Sequence, residues 1–194
     1  MNMLEQAAFL LRITQNRDIV RRYFVVNGFD GALTMLGLII GFLMSAPADL
    51  SLLINACLGA AIALGVSGLS SAYISESAET KRTLGKLEDA MISDLKNSAH
   101  GEAARLTPLL IALVNGLAPL IISMLIMLPL WLAQKGISLP LSPLYAAILV
   151  ALLLVFLLGV FLGRIAGISW LRSGFHTLLV AVMTAALIVL FADA

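Results

Sequence analysis

The stretch YFVVNGFDGALTMLGLIIGF, residues 23–42, is long and apolar enough for a membrane-spanning helix, yet it carries an aspartate at position 30. A hydrocarbon core of about 30 Å takes about 20 helical residues. An aspartate at the centre of such a helix costs roughly 2.5–3.5 kcal/mol on insertion scales. Asn27, Asp30 and Thr34 follow at three- and four-residue steps, and Gly37 and Gly41 continue the same stripe, so the spacing places all five on one helix face. That face is expected to meet protein or water rather than lipid. Asp30 lies about 12 Å along the helix from Arg22, too far for a short side chain to reach the surface. Gly28 and Gly31 flank it and leave room for a neighbouring backbone or an ion. The alternative is a protonated Asp30 hydrogen-bonded to another helix as packing.

Working outward, the composition agrees with a membrane setting. Of 194 residues, 61% are hydrophobic and 12% charged, against about 25% charged in soluble domains. Apolar runs occur over 23–45, 51–75, 106–133, 143–164 and 171–192, which predicts an all-α integral membrane protein with five transmembrane helices. A soluble helical core would need polar faces that the last two runs lack. The predicted division is an amphipathic lead over 1–22 lying on anionic lipid, helices 1 and 2 over 23–75, a short polar helical segment over 76–105, and helices 3 to 5 over 106–192. The lead shows no small-residue cleavage site, so the first span is expected to stay in the mature protein. Cys57, the single cysteine, reads as a small packing residue.

Basic residues gather on the cytoplasmic side of membrane proteins. Eleven of the twelve lie in the lead, between helices 2 and 3, or between helices 4 and 5; Lys135 alone lies on the other side. The amino terminus is therefore expected in the cytoplasm and the carboxyl terminus outside, in a prokaryotic cell membrane. An odd span count without an internal repeat argues against two inverted halves around one site. A homodimer with its pathway at the subunit interface follows as an expectation. Gly37, Gly41, Gly159, Gly163 and Gly167 keep the four-residue spacing of close helix contacts, either between subunits or within one.

Ser67, Ser70 and Ser71 in the second span, and Asn115, Pro119, Ser123 and Met127 in the third, are the polar or polarisable residues expected near Asp30. A proline within a span frees a backbone carbonyl, which Pro119 could present to a cation. A carboxylate with amide, carbonyl and thioether donors suits divalent manganese or iron better than zinc. In the polar segment, Leu84, Leu87, Met91 and Leu95 keep helical spacing. Glu76 and Glu79 share a face just beyond the second span, and with Glu88 and Met91 they form a candidate set for collecting metal. Interleaved basic residues leave open the alternative of a solvated helix with ordinary ion pairs. His176 in the last span reads as a residue near the membrane interface.

The stretch NGFDGALTMLGLIIGF resembles the G-x-x-D-G-x-x-T signature opening the vacuolar iron transporter family, which includes the nodulin-21-like proteins. GLSSAYISESAE at the end of the second span, NGLAPLIISMLIMLPL in the third and GISWLRSGFHTLLVAVMTAALIVL at the end are also similar, so the likeness extends from about residue 20 onward. The resemblance implies five transmembrane helices, a cytoplasmic amino terminus and a dimer whose interface carries metal, with Fe2+ or Mn2+ exported in exchange for protons. It implies that Asp30 is the intramembrane metal and proton site, lined by Asn27 and Thr34. Two features depart from the pattern. Gly68 and Ala72 stand where the family places a methionine and a glutamate, and the cytoplasmic metal-binding insert is reduced to about thirty residues, as in a short prokaryotic branch.

A divalent-cation transporter is the expected function, with the lipid bilayer, a metal cation, protons and a second copy as partners. No nucleic-acid partner and no permanently bound cofactor are expected. Nor is an enzyme: the spans hold one carboxylate where an aspartyl protease needs two, and a serine-type enzyme would need a positioned base, for which His176 is an isolated candidate. The alternative function is a non-transporting scaffold or metal sensor that keeps the transporter fold.

Overall fold

A computed structural model of the protein describes residues 17–45, 49–138 and 140–192. They form five helices: α1 (Arg17–Met44), α2 (Leu50–Met91), α3 (Ala99–Gln134), α4 (Pro143–Ile165) and α5 (Trp170–Ala192). No strand occurs among the described residues. Each helix is long and apolar enough to cross a membrane, and each covers one predicted span. Most of the lead expected to lie on lipid, residues 1–16, falls outside the described residues.

At 42 residues, α2 is about 63 Å long, roughly twice the hydrocarbon thickness. The polar segment over 76–105 is helical for most of its length. Its first part continues α2 through Leu84 and Leu87, its last part opens α3, and a turn over 92–98 joins them. Leu95 does not extend the helical stripe as its spacing predicts. It sits in that turn, 8% exposed, while Met91 on the last residue of α2 is 57% exposed.

Three helices stop in the same way, with a left-handed residue just past the end and a backbone bond reaching back five residues. Gly136 (φ 79) ends α3 and Gly167 (φ 67) ends α4, with Ile137 N donating to Leu132 O and Ile168 N to Gly163 O. Past α2 the left-handed residue is Ile92 (φ 49), with Ser93 N donating to Glu88 O at 3.3 Å. A β-branched side chain is strained there, and neighbouring groups hold the turn. The Glu88 carboxylate accepts from Leu95 N at 3.0 Å, and Ser98 caps α3 by accepting from Gly101 N. At its other end α2 is capped by Asp49, which accepts from Ser51 N at 3.0 Å and from Ser51 Oγ at 2.7 Å. These two donors hold the Asp49 carboxyl below the usual carboxylate range.

The chain divides into two compact units. The first contains the start of α1 up to Phe24, and residues 65–117 of α2, the turn and α3. Within it, α2 and α3 approach backbone to backbone: a side chain at Gly116 would meet Gly65 O at 2.6 Å, and one at Gly68 would meet Asn115 O at 2.9 Å. Small residues permit this approach, which in lipid gives packing without a hydrophobic driving force. Thr107, Ile111 and Ala112 are fully buried beside it.

The second unit contains residues 25–64 of α1 and α2, and everything from Ala118 onward. Its core is Ala32, Met35, Leu36 and Ile39 of α1, Leu53, Cys57 and Ala61 of α2, Ile126, Met127 and Leu130 of α3, and Ala147, Ala151 and Val155 of α4, all 0% exposed. Cys57 is a buried packing residue, as its setting predicts. The α4 stripe continues through Gly159 and Gly163, whose missing side chains make room for Thr177 and Ser173 of α5. Thr177 Oγ1 donates to Val155 O across that contact. The glycine series at the end of α4 therefore serves packing within the chain, and Gly167 serves the helix stop.

Candidate functional site

On α1 the buried residues Val25, Gly28, Ala32, Met35 and Ile39 form one stripe. Gly31, at its edge, lies where an added side chain would be 2.7 Å from Pro119 O of α3, and one at Gly28 would meet Leu158 of α4 at 3.3 Å. The two glycines that flank the aspartate thus admit a backbone and a leucine. Asp30 stands about half a helical turn away from the stripe. It is exposed on the outer face of the chain and has no hydrogen bond or ion pair with another described residue. Asn27 and Thr34 flank it on that outer face, both half-buried. A side chain added at Gly37 would meet Ile188 of α5 at 3.4 Å, and one at Gly41 would meet nothing within 4 Å. The stripe predicted from spacing is therefore exposed at Asp30 and half-buried at its other positions, with Gly37 against α5.

The third-span candidates lie inside the chain. Ser123 and Met127 belong to the same unit as Asp30 but are 0% exposed, and a single copy does not bring them to the Asp30 face. Ser123 Oγ is buried without a hydrogen-bond partner among the described residues, as is Thr107 Oγ1. Asn115 belongs to the other unit, 5% exposed, and its Nδ2 donates to Gly68 O at 2.6 Å. Its amide joins α3 to α2. Ser70 Oγ returns to Val66 O of its own helix at 2.7 Å.

The acidic candidates are spread along α2. Glu76 Oε1 accepts from the Tyr23 hydroxyl at 2.9 Å, tying α1 to α2. Glu79 is exposed, Glu88 holds the turn after α2, and Met91 ends the helix. Glu76 and Glu88 are about 18 Å apart along one helix. Among the described residues no group of three or more histidine, cysteine, aspartate or glutamate side chains is placed to hold a metal ion. His176 is exposed on α5.

The geometry at Gly68 and Ala72 in the second span leaves little room for larger side chains. Gly68 is where α2 touches the Asn115 backbone, so a methionine there would drive the helices apart. Ala72, 4% exposed, is buried one turn further on.

No protein-family profile and no solved structure matches the chain. One curated protein is similar along most of its length: the uncharacterized protein MJ0645 of Methanocaldococcus jannaschii, 32% identical over 164 residues, which are 83% of this chain and 82% of the relative. An identity of that size over that share of both chains places the protein in the same family as MJ0645.

Proposed function

We propose that the protein is a homodimeric divalent-cation transporter that exports Fe2+ or Mn2+ from the cytoplasm in exchange for protons, with its amino terminus cytoplasmic. Asp30 from each copy lies at the subunit interface. The observation that carries this reading is the outward, unpartnered Asp30 in the middle of an apolar helix. Facing lipid, that carboxylate is a net cost. Facing its own copy across a two-fold axis, it becomes half of a pair. Two such carboxylates can share a divalent cation, or a proton once the cation has left. The open position at Gly41 on the same face allows a second helix to come close. The resemblance of the first span to the vacuolar iron transporter family supports the same assignment, as does the gathering of basic residues in two of the interhelical segments and the lead.

The test is reconstitution in liposomes under anaerobic conditions, following Fe2+ and Mn2+ flux against an imposed proton gradient. Wild type is expected to move metal, and Asp30→Asn to fall to the level of protein-free vesicles. Undiminished flux in that variant would overturn the mechanism. No flux from a folded, dimeric wild type would favour the scaffold or sensor reading instead.

A further inference from the structure

A cleft of about 420 Å3 opens within the first unit, lined by Tyr73, Ser77, Lys81 and Leu84 of α2, Lys96 of the turn, and Gly101, Ala104 and Arg105 of α3. We propose that it binds a phosphate-bearing anion, the headgroup of an anionic lipid in the adjoining leaflet. Tyr73, Ser77 and Lys81 recur at four-residue steps, so one wall of α2 presents two hydroxyls and an ammonium in a row. Three cationic side chains line the cleft, from three separate segments. Arginine and lysine together supply both forked and point-charge donors to phosphate oxygens.

The acids nearby offset one of these three cations and leave the other two. Asp94 pairs with Lys96 at 3.7 Å, with both side chains about two-thirds exposed. Glu102 lines an adjoining cleft that shares Lys96 and Arg105 and extends to Leu106. Lys81 and Arg105 have no ion pair with a described residue. The cleft's position selects the ligand. Arg105 immediately precedes the apolar run of α3, and Tyr73 closes that of α2, so the cleft lies where headgroups lie. Beyond it, Leu106 and Leu109 face outward, 37% and 46% exposed, along the path of acyl chains. Basic pockets between membrane helices at this depth suit phosphate headgroups. The inference is independent of metal transport.

The full chain in a neutral detergent is titrated with phosphatidylglycerol, with phosphatidylcholine and with inorganic phosphate, and bound ligand is counted by native mass spectrometry. Phosphatidylglycerol is expected to bind and phosphatidylcholine to bind far more weakly. Lys81→Gln with Arg105→Gln is expected to weaken phosphatidylglycerol about 30-fold, at roughly a factor of five per removed charge. Lys86→Gln, outside the cleft, should leave it unchanged, and Lys81→Arg with Arg105→Lys should restore most of it in a protein of wild-type dispersity. Displacement of the lipid by millimolar phosphate would locate recognition in the phosphate group. Phosphate binding without lipid binding would assign the site to a soluble anion and overturn the headgroup. Equal binding of the two lipids, or unchanged binding in the double variant, would overturn the proposal.

Discussion

Asn115 and Asp30 are both polar side chains set within apolar helices, and the fold treats them in opposite ways. Asn115 is 5% exposed and spends its amide on the Gly68 carbonyl, at the point where α2 and α3 touch backbone to backbone. Asp30 faces outward, while its neighbour Gly31 takes the helix contact with Pro119. The difference teaches that a polar residue in a membrane helix is not evidence of a site until its direction is known. A buried, paired amide secures the chain's own packing. An exposed carboxylate without a partner in its chain asks for one outside it.

Four measurements would break or sharpen that contrast. Gly31→Leu should have the largest effect, because the added side chain meets Pro119 backbone atoms at 2.7 and 2.8 Å that cannot yield. We expect a loss of about 3 kcal/mol in unfolding within lipid bicelles, or failure to fold. A tolerated leucine would mean that α1 is turned differently and that Asp30 is not on the outside. Asn115→Leu should cost about 1 kcal/mol in the same assay, the usual size of an interhelical hydrogen bond in a membrane. No loss would make the amide dispensable to packing. In the monomer, Asp30→Leu should change unfolding by less than about 0.5 kcal/mol, because the side chain has no partner within its own chain. A loss above about 2 kcal/mol would reveal a partner within the chain. Asp49 supplies the comparison outside the bilayer. Its carboxyl is held low in the folded protein by Ser51, so its stabilising contribution is present above the ordinary carboxylate range and is lost as pH falls through the folded value. The small difference in Tm between wild type and Asp49→Ala should therefore be present at pH 7 and shrink as pH falls below the ordinary carboxylate range. A difference that persists at the acid end would show that the cap acts without its charge.

The five helices are legible in the sequence because each apolar run is long enough for a bilayer and is bounded by polar residues. The continuity of α2 past residue 75 is also legible, from Leu84 and Leu87 at helical spacing. The place where it stops is not, since Ile92 takes a left-handed conformation that glycine takes at the other two stops. Asn27, Asp30 and Thr34 do share a face, as their spacing says. Which way the face points cannot be read from α1, where apolar residues lie on every side and none marks the interior. The role of Asn115 is legible in the glycines around it. Gly65 and Gly68 on one helix and Gly116 beside the amide on another are the signature of a close crossing. The basic cleft is not legible, because the charges between α2 and α3 read in sequence as an alternating surface, whereas folding gathers Lys81, Lys96 and Arg105 on one side.

The crossing of α2 and α3 at Gly65, Gly68, Asn115 and Gly116 also has a calorimetric consequence. Parting these helices within the bilayer exchanges backbone contact for lipid contact and wets almost no apolar surface, so the heat-capacity change of that step is close to zero. Its free energy then falls in a nearly straight line with temperature. This contact should loosen steadily on warming and show none of the weakening on cooling that bounds the stability of water-soluble cores.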